Sequence, residues 1–255
     1  RLLRAARPFV AAALARDLNR PTVIITATVD RAYNVAEQLP VWLPETPILR
    51  FAEPGALFYE RAAWTSHALR GRLATLGALV TPIGSNVRAE VPPVIVTSAL
   101  ALMTRTLPPR EFRAASRVLK VGSRHDPDKL MRHWLSIGYS PASIVTEPGT
   151  FARRGGIIDL FPISADQPVR LEFFDDEVER LRLFDPASQR STTSVNEISV
   201  FPAREALPKF GGQAAARLEK WFSAQSDSGD QADSAWADGV DLASESAFPT
   251  MEFYL

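Results

Sequence analysis

The run PVRLEFFDDEVERLRLF (168–184) places a large aromatic residue among charges. Strict alternation sends Val169, Leu171 and Phe173 to one face of a strand and Arg170, Glu172 and Phe174 to the other. The first set is a core stripe. The second puts an aromatic beside an arginine, the composition of a protein-binding hot spot. Two readings stay open. Either Phe174 tucks under the turn Asp175-Asp176 while the arginine solvates an edge, or Arg170 and Phe174 together meet a partner.

Other residue types that could do chemistry point to no reaction. Cysteine is absent, which excludes disulfides and thiolate chemistry and leaves His67, His125 and His133 as the soft metal ligands. His125 and His133 are eight apart, which matches no zinc spacing. The acidic run Asp175, Asp176, Glu177 and Glu179 lies on a hairpin turn, where successive side chains cannot converge on one ion, so an exposed acidic turn is expected. Gly84-Ser85 and Gly122-Ser123 lack the glycine-framed turn of a serine nucleophile. Gly149 and Gly155-Gly156 are too sparse for a nucleotide loop and suit a bend into the strand IIDLFP. The expectation is no catalytic site, no metal and no cofactor.

Around these residues the chain alternates helix and strand, then changes character. A helix is expected over Pro8–Leu18, a buried strand over 22–28, and a helix capped by Asp30 and closed at Pro40. A strand over Ile48–Phe51, a helix at about 60–80 and the strand 94–98 complete an alternation that favours a parallel sheet covered on both faces. After Pro108-Pro109 the pattern turns to short strands: 117–122, 143–146, 156–161, 169–174, 177–184 and 197–201. One helix, capped by Asp126-Pro127, runs to about Ile137. This second region, 114–203, is expected to be a separate α+β unit. A helix follows Gly211-Gly212, SDSGDQADSAWADG is expected to be a flexible loop, and AFPTMEFYL is expected to be a strand.

The 255 residues can bury at least one full core. Lysine plus arginine and aspartate plus glutamate both number 29, so no overall cationic field argues for nucleic-acid binding, although a local basic patch remains possible. There is no apolar run long enough to span a membrane and no signal peptide, so a cytoplasmic protein is expected. Arg1 at the start and MEFYL at the end suggest a piece of something larger.

RRGGIIDLFP followed by RLEFFDDEVERLRLFDP and SQR resembles the second domain of the UvrB-like module in bacterial transcription-repair coupling factors (Mfd). EPGALFYE (53–60) and RGRLATL (70–76) extend the resemblance into the first hundred residues. The resemblance implies an α/β architecture: a degenerate P-loop, helicase-like parallel-sheet domain (1–113), an inserted small α+β and mostly β domain (114–203), and a segment (204–255) packing back on the first. It also implies a role, recruitment of UvrA for nucleotide excision repair. The family's two contact arginines and phenylalanine fall on Arg154, Arg170 and Phe174, with Arg153 able to share or replace Arg154. RNA polymerase and DNA would be partners of other parts of a longer protein.

The same resemblance locates the place of a nucleotide loop at Arg4-Ala5-Ala6-Arg7-Pro8-Phe9. Arg7 falls where the phosphate-binding lysine would stand and Pro8 where the hydroxyl residue would hold magnesium. Proline has neither hydroxyl nor amide proton, and none of Lys120, Lys129, Lys209 and Lys220 follows a glycine. No ATPase is therefore expected of this chain. The alternative function is DNA or damage handling, as in UvrB. The region at 50–66, with Phe51, Phe58, Tyr59 and Trp64 spread out around Pro54-Gly55, leaves no room for a long hairpin between DNA strands.

Overall fold

The computed structural model describes residues 3–55, 63–80, 91–223, 239–245, 247–248 and 250–254. Helix α1 (Arg7–Leu18) takes Pro8 in its first turn and stops at Asn19, whose left-handed φ of 45° closes the last turn. Strand β1 (Thr22–Thr26) leads to α2 (Val29–Trp42), and β2 (Ile48–Phe51) leads to α3 (Ser66–Leu79), where the Thr65 hydroxyl accepts a capping bond from the Ala68 amide at 3.2 Å. Strand β3 (Val94–Ser98) then inserts between the other two, giving a three-stranded parallel sheet in the order β1-β3-β2. Its central place explains why all five β3 residues are buried. The expected alternation thus yields a parallel sheet.

Two short helices, α4 (Ala99–Met103) and α5 (Pro109–Ala115), lead to β4 (Arg117–Lys120) and α6 (Pro127–Ser136). The Asp126 carboxylate caps α6 by accepting from the amides of Asp128 and Lys129 at 2.9 and 3.1 Å. The chain then builds a six-stranded sheet from β5 (Ser140–Pro141), β6 (Thr150–Arg154), β7 (Ile157–Phe161), β8 (Val169–Phe174), β9 (Glu177–Phe184) and β10 (Ser191–Val195). Its strands run in chain order and are antiparallel except at β5–β6. Strand β11 (Glu197–Val200) pairs with β4, and α7 (Gly211–Ser223) follows. The architecture is mixed α/β, and no helix among the described residues is long and apolar enough to cross a membrane.

Several expectations change. Asp30 lies inside the first turn of α2 rather than capping it, and α2 runs through Pro40, placed late enough in the helix to spare most of its bonding ladder. Residues 143–146 form no strand: Val145 is instead a single buried residue packed with Ala152, Phe161 and Phe184. Strands β6 and β10 escaped notice because TFARR and STTSV lack an apolar alternation, and they form by pairing with β7 and β9. The closing segment makes a 3₁₀ turn over Met251–Tyr254, not a strand. Residues 60–62 of the expected helix, residues 56–60 of EPGALFYE with Phe58 and Tyr59, Gly84-Ser85, and the loop between 224 and 238 lie outside the described residues.

Helix α3 ties these parts together. Leu69 and Leu73 join Leu107, Phe112, Leu119, Trp134, Phe151, Ile158, Leu171 and Leu181 in one buried cluster. Beside them Arg72, fully buried, forms an ion pair through Nε with the fully buried Glu205. Its other nitrogens donate to the carbonyls of Ala52 (3.1 Å), Ala101 (3.4 Å) and Arg105 (3.4 Å) and to the Thr104 hydroxyl (3.1 Å). The guanidinium also lies over the Phe51 ring at 4.0 Å. Removing one member of such a pair strands the other charge in the interior, so Arg72→Ala and Glu205→Ala should each cost about 3–5 kcal/mol of unfolding free energy. Chemical denaturation of the purified variants checks this, and a loss below about 1 kcal/mol would show that water reaches the pair.

Candidate protein-interaction site

The outer face of the six-stranded sheet is set by two tight hairpins. Gly155-Gly156 joins β6 to β7, with Gly155 at a left-handed φ of 62° that a side chain would oppose. Asp175-Asp176 joins β8 to β9, with Asp175 likewise left-handed at 57°. Registers then fix which residues share a face. Arg154, Ile157, Glu172 and Arg180 form one row across β6, β7, β8 and β9, and Ala152, Asp159, Arg170 and Arg182 form the next. Intervening positions Phe151, Ile158, Leu160, Val169, Leu171 and Leu181 point the other way, into the core.

One end of this outer face is closed. Val145 packs with Ala152, Phe161 and Phe184, and the turn at 185–190 is tied to it by the Gln189 amide, which donates to the carbonyls of Val145 (3.1 Å) and Pro186 (2.8 Å). The other end, at the hairpin turns, is open. There Phe174 is 77 % exposed and Ile157 38 % exposed. Phe174 therefore does not tuck under the acidic turn, and the alternation read from the sequence holds through β8.

The three residues carried over by resemblance lie on this one face, but in different states. Arg154 is exposed and, among the described residues, makes a 3.4 Å bond to the Ser143 carbonyl. Arg170 is engaged: its Nε and Nη2 donate to the two oxygens of buried Asp159 at 2.7 and 2.9 Å, and it stacks on Phe184 at 4.8 Å. Those hydrogen bonds push its pKa above the ordinary arginine value. Arg153, expected to share the role of Arg154, belongs to the opposite side of β6 and donates to the Asp128 carboxylate at 2.6 Å. Phe173 faces the core but is only partly buried. Sequence reasoning missed Asp159, which is hidden in the apolar-looking run IIDLF. Its signal was a carboxylate in a buried strand, which demands a cation on a neighbouring one.

The other candidates assemble nothing. His67 meets Arg50 at 3.1 Å, His125 meets Ser123 at 3.0 Å, and His133 meets the Ala115 carbonyl at 3.0 Å, with burial pushing the pKa of His125 and His133 down. No group of His, Asp and Glu among the described residues could hold a metal ion. The acidic turn faces Arg124, which lies 3.9 Å from Asp176 and 3.8 Å from Glu177. Arg7 and Pro8 line a cleft of about 450 Å³ with Arg4, Thr26 and Arg31. The Thr26 hydroxyl there already bonds to the carbonyls of Thr28 and Thr97 at 2.8 and 3.2 Å.

Residues 118–205 match the UvrB interaction domain family. The chain is 30% identical over 222 residues to a transcription-repair-coupling factor of Bacillus subtilis, covering 86% of this chain and 18% of that protein. A transcription-repair-coupling factor of Myxococcus xanthus is 34% identical over 209 residues, covering 80% of this chain and 17% of its own length. The UvrABC system protein B of Synechocystis is 26% identical over 203 residues, covering 78% of this chain and 30% of that protein. The chain therefore spans less than a third of the curated relatives named here.

The geometry separates structural from exposed roles. Phe174→Ala and Arg154→Ala should change stability by less than about 0.5 kcal/mol, as exposed positions do. Phe173→Ala should cost about 2 kcal/mol, below the 3–5 of a fully buried phenylalanine because part of the ring already meets water. Arg170→Ala should cost about 3 kcal/mol by leaving the Asp159 carboxylate buried and unpaired. Thermal and urea unfolding of the four variants gives the ranking, and a Phe174→Ala loss exceeding that of Phe173→Ala would mean that the strand is out of phase by one residue.

Proposed function

With residues 118–205 belonging to the UvrB interaction domain family, we propose that the chain is a protein-interaction module that recruits UvrA to stalled RNA polymerase for nucleotide excision repair. The observation that carries this reading is the open end of the sheet face, where Phe174 stands 77 % exposed on the same side as Arg154. An exposed phenylalanine on a rigid strand costs solvation and gains nothing in the isolated chain. On a partner it becomes an anchor whose shape is fixed before binding. Contacts of the longer protein with RNA polymerase and DNA belong to its other parts, and the place of action is the cytoplasm.

The parallel-sheet region is, in this reading, a helicase-like domain whose nucleotide loop has degenerated, with the second region as an insertion into it. Supporting this is Pro8 at the start of α1, where a phosphate-binding helix needs a donor amide and a hydroxyl, and the prior engagement of Thr26. The module has no ATPase of its own, and its work is done by contact.

Titration of the purified chain with UvrA in calorimetry should give a stable complex, and Phe174→Ala should weaken it thirtyfold or more, about 2 kcal/mol. Mg-ATP at millimolar concentration should leave the melting temperature unchanged. The absence of any complex with UvrA would sink the recruitment reading. A Mg-ATP stabilisation that disappears with Arg7→Ala would sink the claim of nucleotide inertness.

A further inference from the structure

In the second row of the outer face, Arg170 stands directly opposite Asp159 on β7 and directly opposite Arg182 on β9. The ion pair with Asp159 is lopsided: the carboxylate side chain is 2% exposed and the arginine side chain 19%. The guanidinium is held on three sides. Its Nε and Nη2 donate to the two Asp159 oxygens at 2.7 and 2.9 Å, its Nη1 donates to the Gln189 carbonyl at 3.5 Å, and its Cζ lies 4.8 Å from the centre of the Phe184 ring. A guanidinium carries five N–H groups in one rigid plane. Those three bonds leave one N–H on Nη1 and one on Nη2 uncommitted among the described residues.

We propose that Asp159 is a positioning residue of the interaction face: its two-oxygen grip sets the plane of Arg170, so that the two remaining N–H groups meet acceptor oxygens of UvrA already aimed. This rests on the recruitment reading above. A buried ion pair is weak evidence for stability, since apolar residues of similar volume often serve as well, and what the fork supplies here is orientation. Without Asp159 the neighbours would pull the guanidinium elsewhere. Arg182 across the strands is a like charge, which repels. Glu172, two residues along β8 on the same face, would attract it, although that carboxylate already lies 3.7 Å from Arg180 and 3.6 Å from Arg182. A rise of about 3.3 Å per residue puts Arg170 roughly 13 Å from Phe174 along β8, within one interface footprint of about 800 Å². An arginine fixed beforehand gives up less rotamer freedom on association than one that must be ordered by the partner.

The test uses the full chain and purified UvrA in calorimetry, well below the melting temperature of each variant, with circular dichroism showing that each is folded. Asp159→Asn keeps the shape of the side chain and loses the charged fork, and it should weaken binding about tenfold. In an Arg170→Ala background the same change should weaken binding no further, because no guanidinium is left to position. Arg170→Lys keeps the charge beside Asp159 without the planar fork, and it should bind as weakly as Arg170→Ala. Should Asp159→Asn not fold, the lysine variant decides alone. An Asp159→Asn loss that persists undiminished in the Arg170→Ala background overturns the proposal in favour of a purely structural carboxylate. Arg170→Lys binding as the unaltered chain does overturns it as well. If Asp159→Asn and Arg170→Lys both bind normally while Phe174→Ala has lost binding, the recruitment reading stands and the positioning role falls. Failure of the unaltered chain to bind UvrA overturns both together.

Discussion

A single buried cation organises this chain. Arg72 on α3 is removed from water together with Glu205, a residue 133 positions later in sequence. Desolvating two charges costs several kcal/mol each, and their attraction offsets this only when geometry is good and the remaining donors are satisfied. Carbonyls of Ala52, Ala101 and Arg105 and the Thr104 hydroxyl meet that requirement. The ends of the parallel sheet, the segment leading to α5 and the segment after β11 must therefore all arrive at one guanidinium. The leucines of α3 fill the apolar cluster around it, which reaches to the far side of the second sheet's core. Hydrophobic burial supplies the larger share of the driving force, and the ion pair supplies the register.

The second sheet uses a smaller version of the same device near its outer surface. Asp159 is a charge on a buried strand, and Arg170 on the neighbouring strand answers it with two parallel bonds. Phe184 beneath the guanidinium, and Gln189 clamping Val145 above the face, close that half against water. The closed half holds the strands at fixed spacing. The open half leaves Phe174 and Arg154 exposed on strands whose positions are already fixed. Packing and exposure are therefore divided along one face, a few residues apart on the same strands.

Strand β8 was legible because its alternation is unbroken: Val169 and Leu171 are buried, Phe173 is partly buried, and Phe174 is exposed. The α6 cap at Asp126 was legible because capping depends on amides two and three residues away. Strands β6 and β10 were not, since a strand with little apolar pattern is made by its neighbour and not by its own composition. The closing MEFYL was misread for a related reason. Its spacing of Met251 and Tyr254 suits a helical turn as well as a strand, and packing against Phe248 and Leu242 settled the matter.

What the sequence determined by itself was local: the amphipathic strands β8 and β9, the Asp126 cap, the hairpin turn at Asp175-Asp176 and the absence of cysteine chemistry. It also fixed the side of the strand that Phe174 takes, because a period of two decides that, while the exposure of the ring came from the structure. What only the tertiary structure decided was the state of each arginine. Arg153, Arg154, Arg170 and Arg180 are indistinguishable as letters, yet one reaches back to Asp128, one makes a 3.4 Å bond to the Ser143 carbonyl, one holds both oxygens of Asp159, and one lies between the carboxylates of Glu172 and Glu179. A long, flexible, permanently charged side chain takes its role from whatever acceptor lies within reach. That acceptor is set by strand register across the sheet, which no local pattern records.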